Sequence, residues 1–148
     1  MTSPPSQPVS HPELVTMAND IRLACMRISR RVRFESDQEL APHHFSVLAR
    51  LEDAPRTNSE LAEIERISAP SMKRTTTHLV EAGYVSRADD PLDGRQVILS
   101  LTEEGRAAVE RVRRHRDEWM LDRFATLTEA ELDLLQRASA VLGKVASK

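Results

Sequence analysis

The stretch from Thr57 to Thr102 constrains this chain most, because signals for two helices, a tight turn and a hairpin follow one another in it without a gap. Thr57-Asn58-Ser59-Glu60 fits a capping box, in which a Thr hydroxyl and a Glu carboxylate satisfy opposite orphan amides at a helix start. Leu61, Ala62 and Ile64 then form the inward side of a helix of about two turns. Ser68-Ala69-Pro70 opens the next helix, with Ser68 or Ala69 at the cap and Pro70 in the first turn, where its missing N–H costs nothing. Met72, Thr76, Leu79 and Val80 face its core, and Gly83 is a natural left-handed stop. Tyr84–Ala88 and Gln96–Leu101 read as strands, the second alternating Val97, Leu99 and Leu101 with Gln96, Ile98 and Ser100. Asp93-Gly94 between them is a strong hairpin-turn signal.

Helices flank this stretch. Leu14, Met17, Ala18, Ile21, Ala24, Cys25, Ile28 and Val32 recur at the spacing of one helix face from Glu13 to Glu35. A second helix starts at Pro42, carries Phe45, Leu48 and Ala49 inward, and ends at Asp53-Ala54-Pro55. Thr102-Glu103-Glu104 starts a long helix bearing Val109, Val112, Trp119, Met120 and Phe124. Thr128-Glu129-Ala130-Glu131 is another capping box, opening a last helix with Leu132, Leu135, Ala138, Leu142 and Val145.

A chain of 148 residues suits one domain that needs neither disulfide nor metal to fold, since burial at this size reaches roughly 68–70% of the unfolded surface. Aromatic residues make up only 3%, so the core is aliphatic. Cys25 is the only cysteine, which excludes an intramolecular disulfide. Residues 1–12, with Pro4, Pro5, Pro8 and Pro12, lack a signal peptide's apolar run and read as a disordered arm. No segment approaches the roughly 20 apolar residues of a membrane span, and the expected location is the cytoplasm.

The formal net charge is −2, but charge is segregated. Between Arg66 and His78 the ionisable residues are Arg66, Lys73, Arg74 and His78, with no acid among them. With Met72, Thr76 and Leu79 inside, the second helix of the pair turns Ser71, Arg74, Thr75 and His78 outward, with Lys73 and Thr77 at the flanks. Arg pairs with guanine O6 and N7, and Ser and Thr match several base edges, so this face is equipped for reading duplex DNA. Arg95 on a thin β-turn suits the narrow, electronegative minor groove. A basic helix alone is also what a solvated surface looks like; the capped helix before it and the hairpin after it favour DNA.

At this point the chain resembles the multiple-antibiotic-resistance regulator (MarR) family of winged helix-turn-helix transcription factors. The matching pieces are Leu61-Ala62-Glu63, Ala69-Pro70-Ser71-Met72-Lys73-Arg74-Thr75, Leu79-Val80-Glu81-Ala82-Gly83-Tyr84-Val85, Asp90-Pro91-Leu92-Asp93-Gly94-Arg95 and Leu101-Thr102-Glu103-Glu104-Gly105. With the flanking helices the resemblance covers nearly everything after the arm. It implies a mainly α fold of about six helices with a small β-hairpin wing. Residues 13–148 would be one winged-helix domain, with a DNA-binding lobe at 42–102 and dimerisation helices at 13–36 and 103–147. The implied DNA contacts are Ser59, Pro70, Ser71, Lys73, Arg74, Thr75, Thr77, His78 and Arg95. The resemblance also implies a homodimeric repressor on a palindromic operator, relieved by a small aromatic or phenolic effector among Met17, Ile21, His44, Phe45 and Trp119. Two positions depart from the pattern. Leu92 stands where the family's wing often has another Arg, so minor-groove contact rests on Arg95 unless Asp93 locks it; Arg66 stands where the helix-turn-helix turn is often Gly.

Other features have plainer readings. Cys25, on the apolar side of its helix near Arg22 and Arg27, is either a redox-sensing thiol or inert packing. His43 and His44, adjacent and pointing apart on a helix, have no partner at ligand spacing, so no metal or other cofactor is expected. Arg111 to Arg116, around His115, is a solvated face or a flank meeting DNA phosphate. No phosphate-binding Gly loop, nucleophile elbow or zinc-protease pair is present, so no catalytic residue is expected. The rival to a DNA-binding regulator is a winged helix that binds only protein, against which Lys73, Arg74 and Arg95 argue.

Overall fold

Among the described residues, six helices and a three-stranded sheet follow one another as α1 (His11–Glu35), α2 (Pro42–Asp53), β1 (Arg56–Thr57), α3 (Asn58–Glu65), α4 (Ala69–Glu81), β2 (Val85–Asp89), β3 (Val97–Leu101), α5 (Glu103–Phe124) and α6 (Glu129–Ala146). The structure is a computed structural model and describes residues 10–36 and 39–147. The expected N-terminal arm lies outside the described residues as far as residue 9. The first helix begins at His11, where Glu13 Oε2 accepts from the Ser10 N–H at 2.9 Å and from its hydroxyl at 2.7 Å.

The caps form as the sequence spells them. Thr57 Oγ1 accepts from Glu60 N at 3.2 Å while Glu60 Oε2 accepts from Thr57 N at 2.7 Å, and Thr128 and Glu131 repeat the arrangement before α6. Ser68 caps α4, and Gly83 stops the following turn at φ 81°. Arg66 ends α3 in the left-handed region at φ 53°, ψ 44°, so the turn where the family often has Gly does require that conformation here.

The sheet order is β1-β3-β2, antiparallel throughout. A hairpin was expected; β1 is a third strand of two residues, recruited because Arg56 and Thr57 pair with Leu99 and Ile98 of β3. The wing turn also departs from expectation. Gln96 N donates to Asp93 O at 2.9 Å, which closes a turn with Gly94 and Arg95 at its corners, yet Gly94 has no positive φ. The seven-residue connection from Asp90 to Gln96 is therefore a wide loop, not a two-residue primed hairpin.

The core lies among α2, α3, α4, β3 and α5: Leu40, Val47, Leu48, Leu51, Leu61, Ala62, Met72, Leu79, Val85, Leu99, Ala108, Val109 and Val112 are all buried. It is aliphatic apart from Phe45 and Tyr84 at its margin. Each fully buried side chain of this size contributes about 1.5–3 kcal/mol. Ile64, expected inside, is 37% exposed, because α3 turns only Leu61 and Ala62 toward α4. On α2, Leu48 is buried as expected, whereas Phe45 and Ala49 are half-buried and Val47 and Leu51 are buried with Leu48.

The long helices differ from the lobe. Neither α1 nor α6 buries a single residue. Leu14, Met17, Ile21 and Phe34 on α1, and Leu134, Leu135, Val141 and Val145 on α6, stay exposed. Along α5, Val109, Val112 and Trp119 are buried, whereas Phe124 is 36% exposed. No helix among the described residues is long and apolar enough to cross a membrane.

Candidate nucleic-acid interface

Helix α4 is anchored before it is displayed. Met72, Thr76 and Leu79 are buried, and Thr76 Oγ1 donates to Asn58 Oδ1 of α3 at 2.7 Å, which fixes the rotation of α4 against its partner helix. Pro70, Lys73, Arg74 and Thr77 are consequently exposed along the opposite side, His78 is exposed at its α2 edge, and Ser59 is exposed in the first turn of α3. The outward assignment of Ser71 and Thr75 needs correction. Both are half-buried: Ser71 Oγ accepts from the Ser68 hydroxyl at 2.9 Å, and Thr75 Oγ1 donates to Ser71 O at 3.2 Å. They share a stripe with His78, which stacks on His44 of α2 with ring centroids 4.7 Å apart and planes 15° apart, so this stripe runs along the α2 side of the helix.

His43 and His44, expected to diverge, have ring centroids only 4.1 Å apart. Burial, followed by the neighbouring His43 and His78, pushes His44 down to about 4, so the three rings form a column whose middle member stays neutral at ordinary pH. No group of His, Cys, Asp or Glu that could hold a metal ion occurs among the described residues.

Arg95 projects from the wing. Asp93 Oδ1 accepts from the backbone N–H of Arg95 at 3.1 Å, and Asp93 Oδ2 accepts from Gln96 Nε2 at 3.2 Å. The carboxylate thus shapes the loop, while the Arg95 guanidinium makes no ion pair among the described residues. Between wing and helices lies a cleft of about 830 Å³ whose lining includes Ser59, Lys73 and Arg95, and also Arg56 and Arg87. Sequence reading passed over these last two. Their sign was visible, but their shared place depends on both strands pairing with β3, which local pattern does not encode.

The Arg-rich stretch of α5 is engaged within the fold although Arg113 and Arg114 stay exposed. Arg111 bonds Glu39 at 2.8 Å and Glu104 at 3.0 Å, Arg113 bonds Glu52 at 2.6 Å and Glu110 at 3.2 Å, and the Arg116 guanidinium lies 3.9 Å from the Phe45 ring centroid. These contacts stitch α5 to α2 and its approach. His115 is half-buried in the same helix.

The five effector candidates do not line a single described cavity. Met17 and Ile21 border a shallow groove along α1. Trp119 sits in another of about 670 Å³ with Ile28, Phe124 and Leu135, between Arg31 and Arg123. His44 and Phe45 are half-buried on α2. Cys25, expected on an apolar helix face, is exposed.

Comparison with known proteins agrees with this geometry. The MarR family model matches residues 40–97, from two residues before α2 to the start of β3. An uncharacterized HTH-type transcriptional regulator of Mycobacterium bovis is 39% identical over 130 residues, spanning 85% of this chain and 90% of the relative. Among solved structures, a proposed transcriptional regulator protein of Pseudomonas aeruginosa is 27% identical with a TM-score of 0.79, over 95% of this chain and 99% of that one. A mutant of S. aureus MepR bound to an oligodeoxyribonucleotide shares the fold at 19% identity, with a TM-score of 0.67 over 88% of this chain and 96% of that one. With the capped helix pair, the wing and this likeness to a mycobacterial regulator, the chain belongs to the MarR family of winged helix-turn-helix transcriptional regulators.

Proposed function

We propose that the chain is a sequence-specific double-stranded DNA-binding regulator, a repressor, acting in the cytoplasm as a homodimer on a palindromic operator. The observation that carries this is the exposed ridge Pro70, Lys73, Arg74, Thr77 and His78 beside a wing Arg95 that has no ion pair among the described residues. The ridge serves the major groove and Arg95 the adjacent minor groove. Ser59 supplies a hydroxyl for a phosphate, whereas Ser71 and Thr75 hold the helix and contribute through their remaining lone pairs. Nothing in this reading calls for catalysis, a metal or a cofactor.

The bare faces of α1 and α6 support the homodimer, since a contiguous apolar stripe of this extent on a small protein is an interface. Two-fold pairing sets two copies of α4 about one helical turn of DNA apart, which requires an inverted repeat. Relief by a small aromatic molecule fits the Trp119 groove better than the five-residue pocket expected from sequence. Such a molecule acts only if it binds the DNA-competent and incompetent spacings unequally.

Mobility shifts on duplexes selected from random DNA, repeated over a salt series, test the reading. Lys73→Ala is expected to weaken all sequences and flatten the dependence of log affinity on log salt, and Arg74→Ala to relax base preference by about 1–3 kcal/mol. A protein in which neither property changes would be a protein-binding winged helix instead.

A further inference from the structure

The cleft between wing and helices is lined by four cations drawn from four places in the fold: Arg56 of β1, Lys73 of α4, Arg87 of β2 and Arg95 of the wing loop. Arg56 and Arg87 both pair with Leu99, from opposite sides of β3. Directly opposed residues of an antiparallel sheet share a face, so the two form one row across its inner side. None of the four makes an ion pair among the described residues, although Arg56 Nε donates to Arg50 O at 3.3 Å. The acids of the lining, Glu60 and Asp90, are engaged locally, and Glu60 also lies in the field of Arg56. Glu60 Oε2 accepts from Thr57 N at 2.7 Å and Thr57 Oγ1 at 3.0 Å, and Asp90 Oδ1 accepts from Leu92 N at 2.8 Å. Four cations against two carboxylates leave the cleft positive.

This inference rests on the DNA-binding reading and assigns the cleft a part in it. If α4 enters a major groove while the wing enters the neighbouring minor groove, the strand dividing those grooves must pass between Lys73 and Arg95, which line this cleft from the helix and from the wing. We propose that the cleft is the seat of that sugar–phosphate strand, with Arg56 and Arg87 on its floor as phosphate contacts that read no base. Lys73 and Arg95 hold the strand from the helix side and the wing side. The ligand is an anionic phosphodiester chain, and its contribution is affinity and register.

The experiment measures full-length wild type, Arg56→Gln, Arg87→Gln, the double variant and Arg87→Lys on a selected duplex and a random duplex from low to high salt, with thermal melts of each protein. Because a bound homodimer carries each residue twice, each Gln variant is expected to bind both duplexes more weakly by the same factor, roughly sixtyfold at 0.1 M salt, and to lower the salt slope by about 1.8; the double variant lowers it by about 3.6, and Arg87→Lys keeps the wild-type slope. Inorganic phosphate at millimolar concentration is expected not to compete, since a single anion lacks the chain that spans the cleft. Folded Gln variants with unchanged slopes, or a loss confined to the selected duplex, overturn the clamp while leaving the regulator intact. Competition by inorganic phosphate at that concentration makes the cleft a small-anion site and overturns it too. Wild type that binds neither duplex overturns the DNA-binding reading and the clamp together.

Discussion

Arg66 holds a conformation that costs an L-residue about 1 kcal/mol, and it does so because the turn between α3 and α4 needs one left-handed position. Its backbone N–H still reaches Glu63 O at 3.2 Å, and Ile67 N reaches Ala62 O at 3.1 Å, so Gly could take its place without losing a hydrogen bond. Arg66→Gly is expected to raise the melting temperature by about 2–4 °C, the gain being trimmed by the extra freedom Gly brings to the unfolded chain. A melting temperature that falls would show that the Arg66 side chain holds the turn. His44 makes a different prediction. Its ordinary value of 6.5 belongs to the unfolded chain and about 4 to the fold, so the unfolded chain binds the extra proton between those values. Stability from this site is complete above 6.5 and drains away as pH falls toward 4. Glu60 and Glu131, held low chiefly by the Thr57 and Thr128 backbone N–H groups, lose theirs only below the usual 4.5. Thermal melts from pH 7 to 4.5 should therefore slope downward in wild type and flatten in His44→Gln.

At the scale of elements, the junction of α4, β2 and α5 leaves no room for a side chain at Gly105. A Cβ on Gly105 would stand 2.1 Å from the Tyr84 carbonyl oxygen, a backbone atom that cannot swing away. Thr102 reinforces the contact: its N–H donates to Tyr84 O at 3.1 Å and its hydroxyl to Gly83 O at 2.7 Å. Gly105→Ala should cost about 1–3 kcal/mol, read as a lower denaturation midpoint, and loosen the wing. A variant as stable as wild type would mean that this contact is slack. What was legible in the sequence at this scale is local: the capping boxes at Thr57 and Thr128, the Ser68 start and the Gly83 stop all encode themselves within a few residues. What was not legible depends on partners far along the chain. Strand β1 has two residues and no alternation, and exists only because β3 is beside it. The pairing of Arg111 with Glu39, 72 residues away, likewise engages within the fold a charge that looked available for DNA. Ser71 and Thr75 were read from helical period alone, which cannot tell a flank leaning on α2 from one facing outward.

For the whole molecule, the division between a lobe with a packed core and two helices that bury nothing is the dominant fact. If α1 and α6 are the dimer interface, a charge placed in their apolar stripe should separate the protomers. Leu135→Glu combined with Val141→Glu is expected to convert a dimer to a monomer in sedimentation or light scattering, and to weaken binding to a full palindrome far more than to a half-site. Dimers that survive both substitutions would move the interface elsewhere.

The long helix α5 joins these two regions, running about 33 Å from the wing base to the neighbourhood of Trp119. Its first turn is welded to the wing by Gly105 and Thr102, and its middle is tied to α2 through Arg113 and Glu52. It therefore links the two regions physically: in the proposed homodimer, a molecule wedged near Trp119 that tilts the far end of α5 would change the stride between two half-sites without touching DNA.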